Sequence, residues 1–184
     1  MMSLGARLLL IMTLTTTLFG CQSYRMHPIS TVESVDLERF MGRWFVIASI
    51  PTFLEKDIAN AIEEYRLVDG KVDTRFTFRK GGVDGKEKSM NPVGEVRPDS
   101  GNAVWDMQFV WPFKAEYRII YLSPDYETTV IGRSKRDYAW IMARNPSISE
   151  TELNELTRLL EQQGYDLSDL RTVPQHWPAG WGES

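Results

Sequence analysis

Few side chains here have both the chemistry and the company that catalysis needs. The two histidines, His27 and His176, stand near opposite ends of the chain, and Cys21 is the single thiol. No Ser, His and Asp follow one another in a triad-like order, and no group of His, Cys, Asp or Glu has metal-ligand spacing. A buried carboxylate such as Glu63 is the remaining candidate for acid or base work, and nothing in the pattern around it supports that role. The expectation is binding without turnover, with no metal and no cofactor. What the chain does supply is apolar and aromatic side chains at every second position. Val72, Thr74, Phe76 and Phe78 alternate with Asp73, Arg75, Thr77 and Arg79, and Ala103, Trp105, Met107 and Phe109 fall on one face. Such a wall takes a hydrophobe out of water, which contributes about 0.8 kcal/mol per methylene and needs no directional partner.

Cys21 sits at the end of a leader. Residues 1–20 hold one charge, Arg7, then an apolar and Thr-rich stretch from Leu8 to Phe19, which reads as an export signal. The stretch is too short and too rich in Thr to span a membrane comfortably. Leu18-Phe19-Gly20-Cys21 resembles the bacterial lipobox, which implies cleavage before Cys21 and acylation of its sulfur, so that Cys21 becomes the membrane anchor. The alternatives are a buried core thiol or an intermolecular disulfide. Gln22 rather than Asp follows the cysteine, which by the same resemblance implies the outer membrane, with the protein facing the periplasm. Residues 21–34, including Pro28, read as a tether and lead-in arm. At up to ~3.3 Å per residue its reach is roughly 45 Å.

The length of 184 residues predicts one domain with a real core, at 42% hydrophobic and 25% charged residues. The formal charge of -4 becomes -5 once residues 1–20, with only Arg7, are removed. Lys and Arg are scattered apart from short runs at Arg79-Lys80 and Arg133 to Arg136, so no nucleic-acid surface is expected. From Val35 to Arg144, eight short alternating segments are punctuated by turn residues: 43–50, 61–68, 71–79, 89–97, 103–110, 115–122, 128–133 and 138–144. Hairpin connections without crossover helices predict an antiparallel meander. Ser149 with Glu152 then forms a capping box, Leu153, Leu156, Leu159 and Leu160 form one apolar stripe, and Gly164 stops the helix. That helix is expected to pack on the outside of the strands. The tail, residues 176–184, holds Trp177 and Trp181, and both disorder and strapping onto the domain are open for it.

Three segments carry a family resemblance. "DLERFMGRW" begins with a short helical lead-in and reaches Gly42 and Trp44, "SPDYETTVIG" surrounds Asp125 and Tyr126, and "RDYAWIMARNPSIS" contains Arg144. In this order they resemble the three signatures of the lipocalin family, and their flanks resemble the bacterial outer-membrane lipocalins. The resemblance extends over residues 35–175. It implies an all-β, eight-stranded antiparallel up-and-down barrel with the C-terminal α-helix packed outside. It also implies a structural pair, with Trp44 plugging the floor under the Arg144 guanidinium, a contact of about 0.5 to 2 kcal/mol. Two departures are Pro124, where Thr is common in the second signature, and the lack of the disulfide that many secreted relatives have.

With the alternation carried inward from Trp44, the expected lining is Val46, Ala48, Phe76, Phe78, Trp105, Met107, Phe109, Tyr117, Ile119, Tyr121, Tyr138, Trp140 and Met142. The resemblance implies a carrier or scavenger of a fatty acid or lysophospholipid. The rival readings are a structural envelope lipoprotein whose barrel is filled by its own side chains, and a lipid-modifying enzyme. An integral outer-membrane barrel is excluded because Asp73, Arg75, Arg79, Asp106, Gln108 and Arg118 would face lipid. A homodimer across an exposed edge or mouth is left open.

Overall fold

The computed structural model describes residues 28–51, 57–178 and 181. The leader, Cys21, His27 and the remainder of the tail lie outside the described residues. A single turn of helix, α1 (Leu37–Phe40), precedes the strands β1 (Gly42–Ile50), β2 (Ile58–Val68), β3 (Lys71–Lys80), β4 (Lys86–Met90), β5 (Val93–Val96), β6 (Val104–Val110), β7 (Phe113–Leu122), β8 (Thr128–Gly132) and β9 (Ala139–Ala143). Helix α2 (Glu150–Gln162) and a two-residue strand, β10 (Arg171–Thr172), complete the order. Successive strands pair antiparallel, and β9 returns to β1 to close an eight-stranded barrel. The fourth expected segment is two pieces, β4 and β5, both paired with β3. Pro92 lacks an N–H and breaks the run there. The ladder continues across the break because the Thr74 N–H donates to the Pro92 carbonyl, 3.0 Å.

The strands divide the apolar residues between two cores. One fills the barrel and contains Trp44, Tyr65, Phe76, Trp105, Tyr117 and Trp140. The other lies outside the wall, where Leu156 and Leu160 of α2 cover Phe45, Ile47, Ile120, Val130 and Ile141. Strand β1 is therefore buried on both faces from Trp44 onward, while β3, with water outside, alternates cleanly. Helix α2 begins as its sequence predicts, with the Glu152 N–H donating to Ser149 Oγ at 3.1 Å. It ends in a Schellman turn, in which Tyr165 N–H reaches the Leu160 carbonyl, 3.1 Å, and Gly164 takes φ +83°.

Of four register slips among the described strands, two move residues expected on the inner wall. The register slips between Val46 and Ala48 in β1 and between Ile119 and Tyr121 in β7. Each inserts one residue, and one extra residue reverses the alternation beyond it. Ala48 and Tyr121, both expected on the inner wall, are consequently in the outer core.

The C-terminal segment is a strap. Strand β1 pairs with β2 only over Gly42–Phe45; nearer the mouth its Ala48 and Ser49 pair with β10 instead. Asn60, in a left-handed backbone conformation at φ 49°, exchanges hydrogen bonds with His176 through its side chain, 2.7 and 2.8 Å. Gln175 Nε2 donates to the Val46 and Ala61 carbonyls. Beyond it, Trp177 and Trp181 stack with ring centroids 3.7 Å apart, edge-on to Phe45. The lead-in arm is docked as well: Ile29 is buried in the outer core, Ser30 Oγ receives a hydrogen bond from Gln163 Nε2, and Val35 N–H donates to the Gly101 carbonyl.

Candidate functional site

The three signature segments meet at one end of the barrel. Gly42 turns the chain into β1 at φ +91°, a conformation that L side chains rarely adopt. Two residues on, the Trp44 indole lies across the floor, its N–H donating to the Phe40 carbonyl at 2.9 Å. The Arg144 guanidinium stands 3.8 Å above the indole centroid. It donates to the carbonyls of Arg43 (2.9 Å), Arg39 (2.7 Å), Phe40 (3.2 Å) and Tyr126 (3.3 Å). Burial pulls its pKa down to about 10, which leaves it charged at neutral pH. The turn at Pro124 keeps its hydrogen bonds through Ser123, whose Oγ accepts from the Glu127 and Thr128 N–H groups, each 3.0 Å. Tyr126, at φ 65°, accepts from the Asp36 N–H through its hydroxyl. Asp125 is held by Ser123, which lowers its pKa.

Above the floor is an aromatic layer. Trp105 and Tyr117 stack with centroids 4.8 Å apart, Tyr65 meets Trp105 edge-on, and the Tyr65 and Tyr117 hydroxyls are 2.7 Å apart. The Trp105 N–H donates to the Asn102 carbonyl at 2.7 Å. Burial, mutual repulsion and the nearby Glu63 raise the Tyr65 phenol well above 10, and burial raises Tyr117 likewise. Both stay neutral. Glu63 shares this inner face, opposite Trp44 on β1 and Phe76 on β3, and is 1% exposed. Met107 passes so close to β5 that a Cβ on Gly94 would fall 2.6 Å from its Sδ.

Nearer the mouth, Phe76 packs on Phe78 and Trp140, and Tyr138 packs on Trp140. The Tyr138 hydroxyl donates a hydrogen bond to the Glu116 backbone carbonyl. Met90 and Phe109, only partly buried, cap this group. Trp105 and Ile119 have no exposed surface, and Tyr65, Phe76 and Tyr117 have 1%. A water-sized void beside them would leave measurable surface, so these side chains fill the space between them. Of the expected ligand-contacting residues, Phe76, Phe78, Trp105, Met107, Tyr117, Tyr138 and Trp140 share the interior, Phe109 borders it, and Tyr121 lies outside beneath α2. Phe40 and Tyr65 are interior residues that the sequence reading passed over. The signal for Tyr65 is its spacing from Ala61, hidden because the charged Glu63 stands between them on the same inner face.

The outer wall is charged where α2 does not cover it. Arg97 bridges Asp106 (2.7 Å) and Glu116 (3.3 Å), and Glu116 also pairs with Arg118 (3.1 Å). Such a network suits water rather than lipid.

Comparison with known proteins agrees with this geometry. The lipocalin-like domain family matches residues 35–175. Temperature-induced lipocalin-1 of Arabidopsis thaliana is 29% identical over 160 residues, covering 80% of this chain and 83% of the relative. Outer membrane lipoprotein Blc of Escherichia coli (strain K12) is 26% identical over 157 residues, with coverage of 80% and 83%. Among solved structures, insecticyanin from the tobacco hornworm Manduca sexta superposes with a TM-score of 0.64 at 16% identity, covering 83% of this chain and 86% of that one. With its barrel closed by β1 and β9, its floor sealed by Trp44 and Arg144, and its domain matched from end to end, the chain belongs to the lipocalin family.

Proposed function

We propose that the protein is an acyl-anchored lipocalin of the outer membrane, facing the periplasm, that carries or scavenges one elongated hydrophobic ligand, a fatty acid or lysophospholipid. Lipocalins are in general non-enzymatic carriers of small hydrophobic molecules, and the relative named Outer membrane lipoprotein Blc supports the location. The observation that carries the reading is the unequal interior. Its floor layer is tied by indole and phenol hydrogen bonds, whereas Phe76 and Phe78 are held by apolar contact alone, beneath the half-covered Met90 and Phe109. Rotation of these mouth-side rings opens room for an acyl chain without breaking a polar bond. Trp140 and Tyr138 then flank the ligand, and Cys21 supplies the anchor.

Titration of delipidated protein with a long-chain fatty acid should change tryptophan emission saturably, with Phe78→Ala altering the affinity. Solvent extraction and mass spectrometry should identify the native ligand, and lysophospholipid should be recovered unhydrolysed. The near-zero exposure of the interior favours a second reading, a structural lipoprotein with a filled barrel. A flat titration after delipidation would select it. Mass spectrometry of Cys21 in protein from the envelope tests the anchor separately.

A further inference from the structure

The mouth carries a feature that neither the interior nor the anchor uses. At the tip of the β6–β7 hairpin, Val110, Trp111 and Phe113 are 64%, 82% and 75% exposed. Three large apolar residues at one turn are costly in water and fit an apolar partner. The surroundings are cationic. The described mouth segments at Asp57, Lys80–Lys88 and Arg133–Asp137 hold six Lys or Arg and four Asp or Glu, in a chain whose net charge is -4, while Lys114 is paired with Glu95. An indole and a phenyl projecting from a basic rim match the boundary of an anionic bilayer, where aromatic rings settle at headgroup depth and cations meet lipid phosphates.

The course of the lead-in arm places a bilayer on this side. Ser30 is hydrogen-bonded to Gln163 at the end of α2, and the Gln163 carbonyl accepts from Arg136 in the mouth loop between β8 and β9. The arm therefore joins the domain beside the mouth, not beside the floor. Only six residues lie between Cys21 and Pro28, so the seven steps reach at most ~24 Å. We infer that the Val110–Phe113 tip inserts into the surface of an anionic phospholipid membrane and turns the barrel mouth toward the bilayer. The orientation argument rests on Cys21 being the anchor; the insertion of the tip does not.

The test uses the chain from Gln22 onward, which lacks leader and thiol; residues 29 to 177 make every contact described above that closes the barrel. Vesicles of phosphatidylethanolamine and phosphatidylglycerol should bind it in flotation assays, more strongly than phosphatidylcholine vesicles do, and salt should weaken that preference. Brominated acyl chains should quench its tryptophan emission, and Trp111→Phe should remove most of the quenching. Trp111→Ser combined with Phe113→Ser should lower partitioning at least about tenfold, with circular dichroism and melting temperature unchanged. Equal partitioning of the double variant and the parent would overturn the inference, as would an absence of binding to both vesicle types. So would concentration-dependent dimerisation through the tip without vesicle binding, which would make it a self-association surface. Loss of acylation at Cys21, read by mass spectrometry, would remove the anchor and leave the tip result standing.

Discussion

At the floor of the barrel, Trp44 and Arg144 are fixed from several directions: the indole and guanidinium both hydrogen-bond to backbone carbonyls, and the guanidinium lies over the indole. At the mouth, Phe76 and Phe78 lie against one another, and Trp111 and Phe113 project into solvent. The two ends hold similar aromatic side chains. What separates them is the number of polar bonds per ring, because a ring with a directional partner has one place to sit, while a ring held by dispersion alone has several of nearly equal energy. The floor is thereby suited to closing the vessel and the mouth to rearranging around a guest.

This contrast can be broken forcefully at Arg144. Arg144→Ala should destabilise the fold by about 3 kcal/mol or more, since it leaves several partly buried carbonyls without their charged donor. Arg144→Lys should restore less than half of that, because an ammonium cannot fork across four acceptors. Urea denaturation measures both. Next, Trp105→Ala should cost about 3 to 5 kcal/mol. Phe78→Ala should cost less, because its neighbours can relax, and the loss should shrink when fatty acid is added. Equal costs, unaffected by ligand, would erase the distinction between the two ends.

A smaller effect sharpens it. Tyr65→Phe should cost about 1 to 2 kcal/mol through loss of the buried hydroxyl pair, and the double variant with Tyr117→Phe should cost less than the sum of the single changes. The same pair sets an alkaline limit. Both phenols are raised above 10 in the folded chain, so their contribution is complete below pH 10. Above it the unfolded chain gives up protons that the folded chain retains. Stability should then decline by up to about 1.4 kcal/mol per pH unit for each phenol, and the double variant should show a shallower decline in denaturation curves taken between pH 9 and 11.

The legible and illegible parts of the chain differ for physical reasons. Strand β3 was readable because one of its faces meets water, so polarity alternates with the pleat. Trp44, Arg144 and Asp125 were readable because backbone constraints at the floor permit few substitutes. Ala48 and Tyr121 were misplaced because a bulge adds a residue without any change in composition; Ile47 and Ile120 look like ordinary strand residues. In β2 the inward carboxylate Glu63 broke the apolar alternation that would have located Tyr65. The docking of Trp177 was left open because its partners, Phe45 and Gln175, are set by tertiary contact and not by local pattern.

The strap has a consequence for the order in which the molecule is made. Between Ala48 and Ala61 the wall is completed by residues 171 to 176, which bind β1 on one side and Asn60 of β2 on the other. These residues leave the ribosome after every strand of the barrel, and cross a membrane after them if the chain is exported from its N-terminus. Until they arrive, the mouth half of the seam has unpaired backbone groups and the interior stays open to water. The vessel is sealed only after the strap that follows its strands has been delivered.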